Sequence, residues 1–231
     1  MRVRHRRHHQ HRPINVPTIT SWKNLREAIG KLNPEGERGF EGLAAKLFEA
    51  ETGACFYVAR KGDQPVGDAY SPRSGVALQA KLYDVASLSE NEVEGDIDRI
   101  LREAPALDVL IVATTAKKGL AQLAARLKSK TSETGLDLML SALGDELASF
   151  GALCVVHWDV VQKFIPGLDA QSQTWATNEA INTVTRSALE TLRSELRGLA
   201  TRQFVSEASF RQLALRFRGD DRTTVFEPVL C

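Results

Sequence analysis

Apolar positions along this chain recur at two different periods, and each period predicts its own kind of element. Phe40, Leu43, Ala44, Leu47 and Phe48 fall at i, i+3, i+4, i+7 and i+8, the spacing of one buried helical stripe. A helix is therefore predicted after the Asn33-Pro34-Glu35-Gly36 turn, stopping at Gly53. A shorter helix is predicted over Trp22–Ile29. In the stretch Val76 to Tyr83 the period becomes two. Val76, Leu78, Ala80 and Leu82 share one side of an extended strand, while Gln79 and Lys81 emerge together on the other.

Further strands are predicted at Ala54–Arg60, at a short segment reaching Asp68, and at Asp108–Thr114, which is as apolar as a strand covered on both faces. Between the last two, Val93, Ile97, Ile100, Leu101 and Ala104 mark one side of a helix whose other side is acidic. Helices are predicted over Gly119–Lys130 and Leu136–Phe150, and a last core strand at Leu153–Trp158. After Pro166 a long helix is predicted from Thr177 to Leu199, its apolar side carrying Ala180, Val184, Ala188, Leu192, Leu196 and Leu199. Another is predicted over Val205–Phe217. The expected order is helix, three strands, helix, strand, helix, strand, helical tail. A meander followed by crossover strands gives an α/β fold, with a mixed β-sheet flanked by helices and a C-terminal helical extension. Residues 1–20 read as a disordered basic arm, 21–166 as the sheet domain, and 167–231 as the extension.

Composition narrows the setting. A chain of 231 residues that is 43% hydrophobic holds enough apolar surface for one sizeable core. Its longest apolar run, Val109 to Val112, is far short of the roughly 20 residues a membrane-spanning helix needs. The start lacks the apolar region of a secretory signal. Cys55, Cys154 and Cys231 are odd in number and scattered, fitting neither a disulfide framework nor a zinc site, so a cytoplasmic location is expected. The net charge of +1 conceals an asymmetry. Arg2, Arg4, Arg6, Arg7 and Arg12 lie in the arm. Taking these 5 from the 30 basic residues leaves 25 against 29 acidic ones, a net of −4 for the body. Such a body does not advertise general affinity for nucleic acid. DNA contact then calls for a local basic groove, or for the arm's arginines.

The candidate chemistry starts from Gly67-Asp68 and Gln79-Ala80-Lys81. An acid at a strand end, beside an amide and an amine on the next strand, is one way to assemble a phosphodiester-cutting metal site. The plainer alternative is a half-buried strand with Gln and Lys on its outer face. Asp68 carries a geometric condition. With a symmetric five-residue loop at 71–75 it would face Leu78, away from Gln79 and Lys81. The site therefore requires a bulge, or a shifted loop that pairs Asp68 with Ala77 or Gln79. Asp63 is the alternative acid. His157, beside a core strand, reads as structural, as do Cys55 and Cys154. Trp158 and Trp175 read as packing residues, and Lys117-Lys118 as a solvated pair near a helix start.

Phe40-Glu41 on the first long helix, Gly67-Asp68 on the second strand and Leu78-Gln79-Ala80-Lys81 on the third, in this element order, resemble the PD-(D/E)xK nuclease superfamily. Within it the likeness is to the Mrr-type restriction endonuclease branch, whose third-strand motif reads Gln-x-Lys. The resemblance spans about Gly36 to Trp158, roughly half of the 231 residues. It implies a restriction-endonuclease-like sheet and a Mg²⁺- or Mn²⁺-dependent endonuclease acting on double-stranded DNA in restriction or antiphage defence. It also implies roles: Asp68 and Gln79 as metal ligands, Glu41 as an additional ligand or supporting acid, and Lys81 orienting the attacking water and stabilising charge on the phosphate. Gln in place of the usual acid leaves the ion one negative charge short unless Glu41 compensates.

Relatives of this kind serve as amino-terminal effectors of antiphage ATPases. This chain has no Gly-x4-Gly-Lys-Ser/Thr loop, so a sensor or ATPase is expected as a separate partner. The stripe after Pro166 would serve such a partner or a homo-oligomer, and the ending Thr223–Cys231 reads as running on into something further. Two alternatives stay open. One is a catalytically silent nuclease-like scaffold that binds nucleic acid or a partner protein, which the negative body and the missing strand acid favour. The other is an unrelated regulatory α/β domain.

Overall fold

A computed structural model describes residues 18–59, 66–83, 88–104, 107–132, 134–143 and 148–198. Five strands form one mixed sheet in the order β1 (Tyr57–Val58), β2 (Ala69–Ser71), β3 (Val76–Lys81), β4 (Val109–Thr114) and β5 (Asp137–Ala142). The first three make an antiparallel meander, and β3, β4 and β5 run parallel. Parallel neighbours need crossovers, supplied by α3 (Glu90–Glu103) and α4 (Leu120–Ser132). Both crossovers lie on one face, where Val93, Ile97, Ile100, Leu120, Leu123 and Leu127 pack on Ala77, Leu110, Val112, Leu138 and Leu140.

The opposite face carries α1 (Trp22–Ile29), α2 (Phe40–Thr52), α5 (Ser149–Val156), α6 (Trp158–Phe164) and α7 (Ala170–Ile181). Their apolar sides meet Leu78, Ile111, Ala113 and Met139. All six residues of β4 are buried, which accounts for its uniform apolarity. The mixed α/β sheet flanked by helices is as expected.

Local signals set the helix ends. Ser21 accepts from the Asn24 N–H at the start of α1, Ser89 caps α3, and Asp169 accepts from the Ser172 N–H at α7. Gly53, with φ 70°, terminates α2 in the left-handed region where a side chain is disfavoured. Gly95 is different. It sits exposed inside α3, and a Cβ there meets nothing within 4 Å. Gly95→Ala is expected to stabilise by about 0.5–1 kcal/mol through reduced unfolded-state freedom. A melting curve checks this, with a rise of about 2–4 °C per kcal/mol in a chain of this size.

Three sequence expectations need correction. The helix predicted over Leu136–Phe150 is instead β5 followed by α5, and the strand predicted at Leu153–Trp158 is helical. Helices cover β5 on both sides, so the strand shows no two-residue alternation. Gly151, Ala152, Leu153, Cys154 and Val155 in α5 are all buried, so that helix carries no one-sided stripe. With periodicity silent in both places, Val155-Val156 reads as strand by β-branching alone. Of the strand expected over Ala54–Arg60, Tyr57–Val58 alone is strand among the described residues, and Arg60 lies outside them.

The tail differs too. The helix expected from Thr177 starts at Ala170 and breaks at the extended Asn182, where φ is −62° and ψ 137°. Residues 183–198 are then helical again. Leu189 and Leu192 are buried and Ala188 and Leu196 pack against the same core, so much of the stripe covers its own domain. Val184, 73% exposed, does not join it. At the other end, the Thr18 hydroxyl donates to Asp169 at 2.6 Å and the Ile19 N–H to Ser172 Oγ at 2.7 Å, which places residues 18–20 in the fold rather than the arm. Residues 1–17, Leu199 and the segment 205–217 lie outside the described residues.

A partly buried ion cluster ties residues 183–198 to α2. Arg193 Nε donates to Glu51 Oε1 at 2.6 Å, and His157 Nε2 lies 3.0 Å from Glu51 Oε2. Burial alone would push the Glu51 carboxyl up, but Arg193 and His157 outweigh it and hold it below its usual 4.5. A depressed folded pKa stabilises above the unfolded value and is lost as pH falls through the folded one. Removing a partner from a mostly buried carboxylate costs several kcal/mol when fully enclosed; with Arg193 38% exposed, Arg193→Met is expected to cost about 1–3 kcal/mol at neutral pH. Urea denaturation should show that cost shrinking as pH drops below about 4.5.

Candidate active site

The β2–β3 connection decides where Asp68 points. Ser71 pairs with Val76, Tyr70 with Ala77 and Ala69 with Leu78, so the turn between them is four residues, 72–75, rather than five. The Asp68 N–H donates to the Leu78 carbonyl at 2.9 Å. Asp68 and Ala69 thus both lie against Leu78, two residues opposite one, as in a bulge. Gly67 makes this possible. Its φ is 99°, and a Cβ would stand 2.9 Å from the Leu78 oxygen.

The register condition is met. Asp68 Oδ2 accepts from Gln79 Nε2 at 2.7 Å and from the Ala80 N–H at 2.7 Å, which puts the carboxylate on the Gln79 side of the hairpin. Asp68 is 3% and Gln79 5% exposed. Gln79 Oε1 is buried and has no hydrogen-bond partner among the described residues.

Lys81 follows two residues later, and α3 meets it. Lys81 Nζ lies 2.6 Å from Asp96 Oδ2 and 2.8 Å from Glu92 Oε1. The Tyr83 hydroxyl donates to Glu92 Oε2, closing a chain Tyr83–Glu92–Lys81–Asp96 beside Asp68 and Gln79.

Burial raises the Asp68 carboxyl above its usual range, and the Ala80 N–H and the Lys81 charge only partly offset it. Burial pulls Lys81 down, but Asp96 and Glu92 together exceed it and hold the ammonium above its usual value. Hydrogen bonds from Lys81 and then Tyr83 lower Glu92. Burial, followed by Glu92, pushes the Tyr83 phenol up.

Sequence reasoning missed Glu92 and Asp96, although a signal was there. The five acids between Glu90 and Asp98 in α3 fall on two i, i+4 rows. Glu90, Glu94 and Asp98 face α4, with Arg126 at 2.7 Å from Glu90 and Lys130 at 3.3 and 3.6 Å from Glu94 and Asp98. Glu92 and Asp96 form the other row, and that row faces Lys81.

Of the four expected site residues, Asp68, Gln79 and Lys81 come together. Glu41 is buried in the first turn of α2, the helix layer on the other face of the sheet, and its Oε2 accepts from the Gly36 N–H at 2.6 Å. Asp63 lies outside the described residues. Among those residues no group of three or more His, Cys, Asp and Glu side chains is arranged to hold a metal ion. Lys117-Lys118 continue from β4, whose next residue, Thr115, donates its N–H to the Lys81 carbonyl at 3.2 Å, so both lysines follow the strand position beside Lys81. His157 joins two helices rather than following a strand, and it serves Glu51. Trp158 and Trp175 pack edge to face with centroids 6.1 Å apart, and burial pushes the Cys154 thiol up. No family model matches this chain, and no curated protein does either.

Proposed function

We propose that this chain is a metal-dependent endodeoxyribonuclease of the PD-(D/E)xK type, Mrr-like branch, that hydrolyses phosphodiester bonds in double-stranded DNA as a restriction or antiphage defence effector. One observation carries the reading. The hairpin register turns Asp68 onto Gln79, and Gln79 keeps a buried carbonyl oxygen with no partner among the described residues.

That orphaned oxygen is the test of whether the residues suit a divalent ion. A buried acceptor left without a donor is costly, and a cation is one way to satisfy it. One carboxylate and one amide carbonyl form a sparse donor set, which suits Mg²⁺ or Mn²⁺, ions that retain several waters. The residues fit. The family pattern gives Glu41 as the supporting acid, but Glu41 lies in the α2 layer with its Oε2 on the Gly36 N–H, so the protein donors in this reading are Asp68 and Gln79.

A bound ion would polarise the scissile phosphate and lower the pKa of a coordinated water. Asp68, held in place by the Gln79 and Ala80 donors, would keep its carboxylate fixed toward that position. The Lys81 ammonium would donate to the phosphate oxygens as negative charge builds on them. Its counter-ions Asp96 and Glu92 keep it charged, so it acts as donor and stabiliser rather than as a base.

The same pair of contacts favours a second reading, a nuclease-like scaffold without cleavage, because two carboxylates already neutralise Lys81. Incubating supercoiled plasmid with the protein and Mg²⁺ or Mn²⁺ separates the two. Nicking that depends on metal and is lost in both Asp68→Ala and Lys81→Ala is expected. Equal behaviour of all three proteins would remove the enzyme reading.

A further inference from the structure

We infer that Asp96, with Glu92 beside it, is a positioning residue that fixes the Lys81 ammonium at the end of β3, an assignment that rests on the nuclease reading above.

The side chain of Lys81 is only 12% exposed. An ammonium so enclosed needs opposite charge, because burying an unpaired cation costs several kcal/mol. Lys81 finds that charge on one helix. Asp96 Oδ2 at 2.6 Å and Glu92 Oε1 at 2.8 Å lie one helical turn apart and approach the same nitrogen. Two anchors restrict a flexible four-carbon side chain far more than one.

The anchors are themselves held. Glu92 receives the Tyr83 hydroxyl, and the Tyr83 backbone is tied on both sides to Thr115, whose Oγ1 accepts from the Tyr83 N–H at 2.8 Å and donates to the Tyr83 carbonyl at 3.1 Å. Arg99 pairs with the other Asp96 oxygen at 3.1 Å. On its far row α3 is bound to α4 through Glu90–Arg126 and Glu94–Lys130. Lys81 is thus aimed by a helix braced from two sides. Transition-state stabilisation depends on that aim, because donors placed in advance cost no reorganisation during the reaction. Losing the anchors should therefore lower kcat rather than weaken DNA binding.

Two measurements on the 231-residue chain test this. The first is residue-resolved acetylation by acetic anhydride, followed by mass spectrometry, with exposed Lys118 as internal reference. Lys81 is expected to react at least tenfold more slowly than Lys118. Asp96→Asn should speed its labelling at least fivefold, and Asp96→Glu should keep it within twofold of the parent. The second is plasmid nicking with Mn²⁺. Asp96→Asn should lower kcat at least tenfold with KM within threefold, and Glu92→Gln, at the more exposed anchor, less.

Lys81 labelling that ignores Asp96→Asn, or a loss that appears in KM alone, overturns the assignment. A parent protein that cuts no DNA while Asp96→Asn still releases Lys81 labelling sinks the nuclease reading and leaves the anchoring standing. Should Asp96→Asn fail to fold, Glu92→Gln carries both measurements with the same expected directions.

Discussion

Asp68→Asn should yield a protein that melts higher than its parent and cuts no DNA. Asp68 is nearly enclosed, and burial already raises its carboxyl above the usual 3.8. Its neighbours therefore do not fully replace the water that the charge has lost. Asparagine has the same shape and no charge. Its oxygen can accept from the Gln79 and Ala80 donors as Asp68 Oδ2 does. The folded state keeps its bonds and sheds a desolvated anion.

The sign follows from linkage. A group whose folded pKa is raised supports the fold below its unfolded value and loses that support as pH rises through the folded value. Parent and variant should melt alike in acid near pH 4 and diverge as pH rises, with the variant ahead. A gain of about 1 kcal/mol corresponds to about 2–4 °C in a chain of this length. Cleavage should fall by about 10³-fold or more, since the ion would lose its one charged ligand on the strands. Melting curves from pH 4 to 8 beside a nicking assay give both results. A variant that melts lower at neutral pH would show that the carboxylate is there for stability, not for chemistry.

Gly42→Ala should be the most damaging single methyl addition among the positions described. A Cβ at Gly42 would stand 2.0 Å from the Glu37 carbonyl oxygen and 2.4 Å from its carbon. Both are main-chain atoms, and neither can step aside. The loop from Asn33 to Gly39 is folded back on the start of α2 by Phe40 N–H to Asn33 O at 2.8 Å, Gly39 N–H to Gly36 O at 2.9 Å and Gly42 N–H to Gly36 O at 3.2 Å. Relief requires breaking that set and peeling the loop from α2. The expected cost is about 4 kcal/mol or more, in the range reserved for named structural failures. The midpoint in urea and the melting temperature should both drop, the latter by roughly 8–16 °C. A drop under about 2 °C would mean the loop yields freely.

The meander and the faces of its hairpin were legible in the chain. Alternation in Val76–Lys81 identified the faces of β3, and the i, i+3, i+4 stripe located α2. The need for an irregular step before Asp68 followed from counting loop residues, and the four-residue turn with the Gly67 bulge supplies it. The 136–158 region was misread because both its strand and its helix are enclosed, so neither period is written on the surface of the sequence. The partners of Lys81 were harder. Glu92 and Asp96 sit in a run of five acids, and only the turn of α3 against β3 separates the pair that reaches the lysine from the three that reach α4. Glu41 was singled out from its place beside Phe40, and its carboxylate accepts from the Gly36 N–H in the first turn of α2, a local contact that no pattern in the sequence announces.

The arrangement of residues 183–198 bears on how this protein can be divided. A domain boundary at Pro166 looks natural on paper, where composition changes. In space, that cut would strip away Leu189 and Leu192, bare the trough they fill, and strand Glu51 with a single imidazole for company. The last helical turns are a lid screwed onto the vessel rather than a handle projecting from it. The face of residues 183–198 that carries Leu189 and Leu192 is therefore interior to the fold, not a surface open to another molecule.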